Sequence, residues 1–177
     1  GLKIHADELA ETGGALLAAK LRAVSADHLT HTGPSGREAL AKAGVVAVVL
    51  PATSFFLRSA WAPLPELLAT GVRVALATDF NPGTSPVTSL WFVLQVASHY
   101  WSLPAGTVLP MVTWQAARAV GEAERLGKLA PGMQADLLAL ATDDYRDVVY
   151  RLGWNPVAVA IKRGRVVMRR EPPFRPA

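Results

Sequence analysis

Four short apolar runs, spaced along the first half of the chain, limit its fold more than any other feature. They cover residues 2–6, 23–28, 45–50 and 72–79, and their starts lie about 20–30 residues apart. Helix-like segments stand between them. Residues 9–22 read as a helix interrupted by Gly13 and Gly14, and residues 35–43 as a helix with Pro34 before it and Gly44 after. A shorter helix has Pro65 near its first turn and Gly71 at its end. Proline at a helix start and glycine past its end follow from a missing N–H and a tolerated left-handed backbone. Strand–helix–strand alternation at this spacing is the signature of parallel βα units. Residues 45–50 are apolar throughout, as a strand covered on both faces requires. Residues 51–62 read as a loop, and helices are predicted over 87–101 and 105–120.

After Gly121 the pattern changes. Residues 126–137 (LGKLAPGMQADL) are rich in turn formers and lead into a β-like run at 136–140. Residues 157–161 and 165–168 flank Arg163-Gly164, a plausible hairpin turn. The chain therefore divides at about residue 122 into an α/β part, 1–122, and a small β part, 123–177. Four parallel strands cannot close a barrel, which takes eight strands and ~250 residues. Two readings stand: half of a (β/α) barrel, or an open α/β sheet. The start at Gly1, inside a strand-like segment, favours a C-terminal half whose N-terminal half lies upstream. Bare sheet edges invite association, with a homodimer as its simplest form.

Composition excludes several classes of function. There is no cysteine among the 177 residues, so thiolate nucleophiles, disulfides and Cys-ligated zinc are ruled out. That usage fits a reducing cytoplasm. No apolar run approaches the ~20 residues that span a bilayer. The formal net charge is +4, and its one cluster lies in Lys162, Arg163, Arg165, Arg169 and Arg170. No aromatic residues interleave with it, so nucleic acid is not expected as a partner.

The chemistry is expected where runs end in polar residues. His5, His28 and Asp79 each close an apolar run, and Glu8 follows His5 by three residues. Polar residues at strand C-termini are where a (β/α) barrel carries its active site. Imidazole and carboxylate suit a borderline metal ion that activates water. His5 and Asp79 are the candidate ligands. A lone strand-end histidine is usually only hydrogen-bonded, and a lone aspartate before Asn-Pro-Gly is usually a turn former; the ligand reading rests on their joint presence. His28 can relay a proton or hold a developing oxyanion, or else merely support a neighbour. Glu8 can orient a substrate N–H or shuttle a proton, or else be a helix-start acid, the only role foreseen for Asp7. In the loop FNPGTSP, Asn81 offers an amide. Gly83 permits close approach or positive φ. Thr84 and Ser85 offer hydroxyls near a helix start, where anions bind. His31 is expected to be exposed, and His99 to pack or face solvent.

The segments HADELAETGG from His5, SADHL from Ser25, GVVAVVLP from Gly44 and above all ATDFNPGTSP from Ala77 resemble the imidazolonepropionases of the amidohydrolase superfamily. GKLAPGMQADL from Gly127 and VAIKRGRVV from Val159 resemble the return of such chains into a small β-sandwich. The resemblance implies the C-terminal half of a metal-dependent TIM (β/α)₈ barrel with part of a β-sandwich. It also implies one Zn²⁺ or Fe³⁺ per active site and ring-opening hydrolysis of 4-imidazolone-5-propanoate to N-formimidoyl-L-glutamate in histidine degradation. Carried over, His5 and Asp79 are metal ligands; Glu8, His28 and Asp79 are catalytic; Glu8, Asn81, Gly83 and Thr84 bind substrate. The His-x-His ligand pair of the family's first barrel strand is not in this sequence, nor are its arginine and tyrosine contacts. Gln115 stands where many superfamily members carry Asn. The fragment alone is therefore expected to be inactive. The alternatives are another amidohydrolase, such as a deaminase, and a non-catalytic half-barrel that binds or assembles.

Overall fold

The structure, a computed structural model, describes residues 1–170. Four strands form one parallel sheet in sequence order: β1 (Lys3–Ala6), β2 (Ser25–His28), β3 (Val46–Val49) and β4 (Val74–Leu76). Helices α1 (Gly14–Lys20), α2 (Pro34–Ala43), α3 (Pro51–Leu57) and α4 (Leu64–Ala69) connect them. Then come α5 (Leu90–Tyr100), α6 (Ala105–Val112) and α7 (Trp114–Ala119). A second sheet is an antiparallel meander of β5 (Leu137–Leu140), β6 (Val157–Lys162) and β7 (Arg165–Arg169), with α8 (Asp147–Tyr150) between its first two strands. Among the described residues no helix is long and apolar enough to cross a membrane.

Side-chain alternation along the strands separates two faces of the parallel sheet. Ile4, Ala26, Ala47, Val49, Val74 and Leu76 join the main core with Leu40, Leu64, Leu67, Val93 and Leu94 from the helices. Val46, Val48 and Ala75 form a smaller cluster with Ala116 and Ala119 of α7. Each fully buried leucine stabilises the fold by roughly 1.5–3 kcal/mol relative to exposure. The parallel strands and the Arg163-Gly164 hairpin are as the sequence predicts. Both hairpin residues have positive φ (50° and 75°), which a two-residue turn of that twist demands.

Other expectations need correcting. Residues 8–13 are not helical. The buried Asp7 carboxylate accepts N–H bonds from Thr12, Gly14 and Ala15, which holds these residues in a loop and starts α1 only at Gly14. A Cβ at Gly14 would come within 2.9 Å of Ala6, so glycine is required there. Residues 51–57 are helix rather than loop, because Pro51 occupies a first-turn position that needs no N–H. The long helix expected over 105–120 is two: the Thr113 hydroxyl takes the Leu109 carbonyl at 2.8 Å and the backbone turns out of helix at Thr113. β4 stops at Leu76, since its partner β3 ends at the paired Val49, so Asp79 lies beyond the strand rather than in it. Helix α8 was not expected. Gln95, fully buried in α5, fastens it: Nε2 donates to the carbonyls of Val148, Arg151 and Trp154, and Oε1 accepts from Gly153 N–H.

Candidate active site

The C-terminal ends of the parallel strands gather the predicted polar residues. His5 Nδ1 and His28 Nε2 are 2.8 Å apart, one of them donating to the other. Glu8 Oε1 stands 3.6 Å from His28 Nδ1, beyond a hydrogen bond but within ion-pair range of a protonated ring. His5, Glu8 and His28 form the one group of three potential metal donors among the described residues, with ligand atoms all within 4.8 Å of one another.

Two backbone features create this group. Register pairs Ala6 with His28, so strict alternation would send His28 to the helix-covered face with Ala26. Its φ of 70° ends the extended run, and its ring meets that of His5 at 4.9 Å between centroids. Asp7, also left-handed (φ 47°), anchors the loop that carries Glu8. Oδ1 of Asp7 accepts from Thr12 and Gly14 N–H, and Oδ2 from Ala15 N–H and the Thr32 hydroxyl at 3.0 Å. Burial pushes the Asp7 carboxyl up, but these donors outweigh it and hold it below its ordinary value. Asp7 thus organises the loop that carries Glu8, a role its sequence position did not suggest.

Asp79 is not in the group of three. It shares with His5 a cavity of about 350 Å³, walled by Lys3, Asp27, Val48, Ala75, Ala116 and Ala119. Lys3 pairs with Asp27 at 3.3 Å in its wall. Asp79 Oδ2 accepts from the Thr53 hydroxyl at 2.8 Å. A neighbouring cavity of about 130 Å³ lies among Glu8, His28, His31, Thr53 and Ser54.

The loop after Asp79 is differently built from the expectation. Asn81 Oδ1 accepts from Gly83 and Thr84 N–H, and its Nδ2 donates to the Asp79 carbonyl at 2.7 Å and to Thr84 Oγ1. The Asn81 amide closes a turn. The positive φ falls on Asp79 (51°), not on Gly83. Ser85 is buried and donates to Thr78 O, and the next helix starts only after Ser89, its N-cap, so 84–85 are no helix N-terminus. His31 is exposed, as is His99, which bonds to Gln95 O. Gln115 Oε1 is buried and finds no partner among the described residues.

The donor set of imidazole nitrogens and carboxylate oxygens fits a zinc or iron ion. His5 Nδ1 is engaged with His28, which leaves Nε2 as the ring nitrogen open to a further partner.

Residues 3–167 match the amidohydrolase family profile. The chain belongs to the amidohydrolase family. Curated relatives include the imidazolonepropionases of Bacillus velezensis, 44% identical over 172 residues, and of Chloroflexus aggregans, 47% over 170. These alignments take in 97% and 96% of this amidohydrolase chain, but 41% and 40% of the relatives. The chain thus spans about two fifths of their length. Solved structures of similar fold include a zinc-bound adenosine deaminase from Xanthomonas campestris, with TM-score 0.80, 22% identity, and 93% of this chain and 44% of that one covered. Atrazine chlorohydrolase from Arthrobacter aurescens, complexed with zinc, follows at TM-score 0.77 and 19% identity, covering 95% and 44%.

Proposed function

We propose that this chain supplies the strand-end part of an imidazolonepropionase-type hydrolytic site. In this reading residues 1–122 are the C-terminal half of a (β/α)₈ barrel and residues 123–170 part of its β-sandwich, the rest of the expected 123–177 lying outside the described residues. The observation that carries the reading is the convergence of His5, Glu8 and His28, beside a cavity that His5 shares with Asp79. The likeness to imidazolonepropionases over nearly the whole chain supports the choice of substrate.

His5 and Asp79 would hold one Zn²⁺ or Fe³⁺. When bound, such an ion lowers the pKa of water toward neutrality and polarises a carbonyl. The residues of the chain do the rest. Asp79 accepts the proton of the attacking water. Water oxygen adds to the ring carbonyl carbon of 4-imidazolone-5-propanoate, and the ring C–N bond then breaks. His28, buried beside His5, donates to the oxyanion as it forms, a contribution of ~3–4 kcal/mol for a well-placed donor. Glu8, protonated from solvent through its exposed side chain, passes that proton to the departing ring nitrogen, and Asp79 returns the water's proton to solvent, which gives N-formimidoyl-L-glutamate. Gly83 and Thr84 present the turn closed by Asn81 to the polar groups of the substrate.

The test is loss of imidazolone propionate absorbance with the protein as its gene encodes it, before and after chelation. Turnover that falls on chelation and returns with zinc or iron is expected. Absence of metal-dependent turnover overturns the reading, and release of ammonia from a nucleobase-like ring would assign a deaminase instead.

A further inference from the structure

Thr53 lies at the third helical position of α3, directly after β3, and is 5% exposed. β3 neighbours β4, so the first turn of α3 comes to lie beside the chain leaving β4. There the Thr53 hydroxyl donates to Asp79 Oδ2 at 2.8 Å, the one hydrogen bond to this carboxylate among the described residues. Asp79 needs such support. It lies beyond the last ladder bond, Ala77 N–H to Val49 O, in a left-handed backbone that neither helix nor strand stabilises. Asn81 fixes the backbone through the Asp79 carbonyl, and among the described residues Thr53 alone fixes the side chain.

We propose that Thr53 is a positioning residue for Asp79: by occupying Oδ2 it turns Oδ1 toward the cavity shared with His5. Resting on the reading of Asp79 as a ligand, this goes beyond it by naming the residue that sets the carboxylate's orientation. A hydroxyl donating to one oxygen of a ligating carboxylate restricts its rotation, so the ordering cost is met before the ion arrives. Loss of such an outer partner typically weakens metal binding or activity ~10–100-fold. Thr53 itself lines the smaller neighbouring cavity and does not line the one that Asp79 shares with His5.

The test is zinc affinity of the gene-encoded protein, by competition with a chromophoric chelator, for the wild type, Thr53→Val, Thr53→Ser, Ser54→Ala and Asp79→Asn. Ser54, the next residue of the same helix, is the control, since its hydroxyl donates to the Ala60 carbonyl beyond the helix end and not to Asp79. Thr53→Val keeps volume and loses the donor. It should bind zinc about 10-fold more weakly and lower kcat with KM unchanged, while the metal-free protein melts as before. Thr53→Ser should recover most of the loss, and Ser54→Ala should match the wild type. Wild-type zinc affinity and kcat in Thr53→Val, or an equal loss in Ser54→Ala, overturns the proposal while Asp79→Asn remains weakened. Wild-type affinity in Asp79→Asn overturns the reading of Asp79, and this proposal with it.

Discussion

The two faces of the parallel sheet are made by the same strands, yet they differ in kind. On the helix-covered face every second residue is apolar, from Ile4 through Ala26, Ala47 and Val49 to Val74 and Leu76. On the other face the series begins Lys3, His5, Ser25, Asp27 and turns apolar only at Val46, Val48 and Ala75. The first face holds the fold together, and the second carries charge at a cost in burial. The pattern teaches that stability and chemistry are separable here residue by residue, because the pleat sends neighbours to opposite sides.

Substitutions can break that separation or sharpen it. On the helix side, Leu67→Ala removes a fully buried side chain and should cost ~2–5 kcal/mol of stability. Chemical denaturation measures this, and kcat per folded molecule should not change. Across the sheet, His28→Asn keeps a side chain that tolerates φ of 70° but removes the imidazole. Turnover should fall ~10²–10³-fold, as for a lost oxyanion donor, with melting nearly unaffected. A large drop in melting temperature would place His28 with the stabilising residues instead. Asp7→Asn tests the junction between the two roles. The amide cannot accept everything that two carboxylate oxygens accept, so buried N–H groups lose a partner and stability falls by ~1–3 kcal/mol. Hydrogen exchange should show the added opening at residues 8–15.

The smallest effect lies away from both faces. Lys162 bonds the Asp136 carboxylate, and with Arg163 N–H lowers it to about 2 from an ordinary 3.8. Because the folded value is depressed, this pair contributes stability above the unfolded value and loses it as pH falls through about 2. Asp136→Asn should flatten the acid dependence of melting between those limits and lower melting at neutral pH by the same amount, a small one since the pair is solvent-exposed.

The sheet was legible in the sequence because apolar runs and their spacing are local signals. The nearness of His5, Glu8 and His28 was legible in part, since His5 and His28 each close an apolar run and Glu8 follows His5 by three residues, whereas Asp79 stands outside that group. The direct His5–His28 contact was not legible. Alternation assigns His28 to the wrong face, and only its left-handed backbone corrects that. Thr53 was hidden for a similar reason: residues 51–62, read as a loop, gave no hint that the first turn of α3 reaches Asp79, 26 residues away along the chain. Asn81 and Gly83 were singled out as groups for the substrate, with a plain turn as the alternative; their bonds close the loop, and the positive φ belongs to Asp79.

The central claim is that His5 and Asp79 bind the same ion. Zinc retained per chain after gel filtration against a mild chelator, for the wild type, His5→Ala and Asp79→Ala, tests it most directly. The account predicts that the wild type keeps its ion and that each substitution alone releases it. Undiminished zinc in either variant would contradict it.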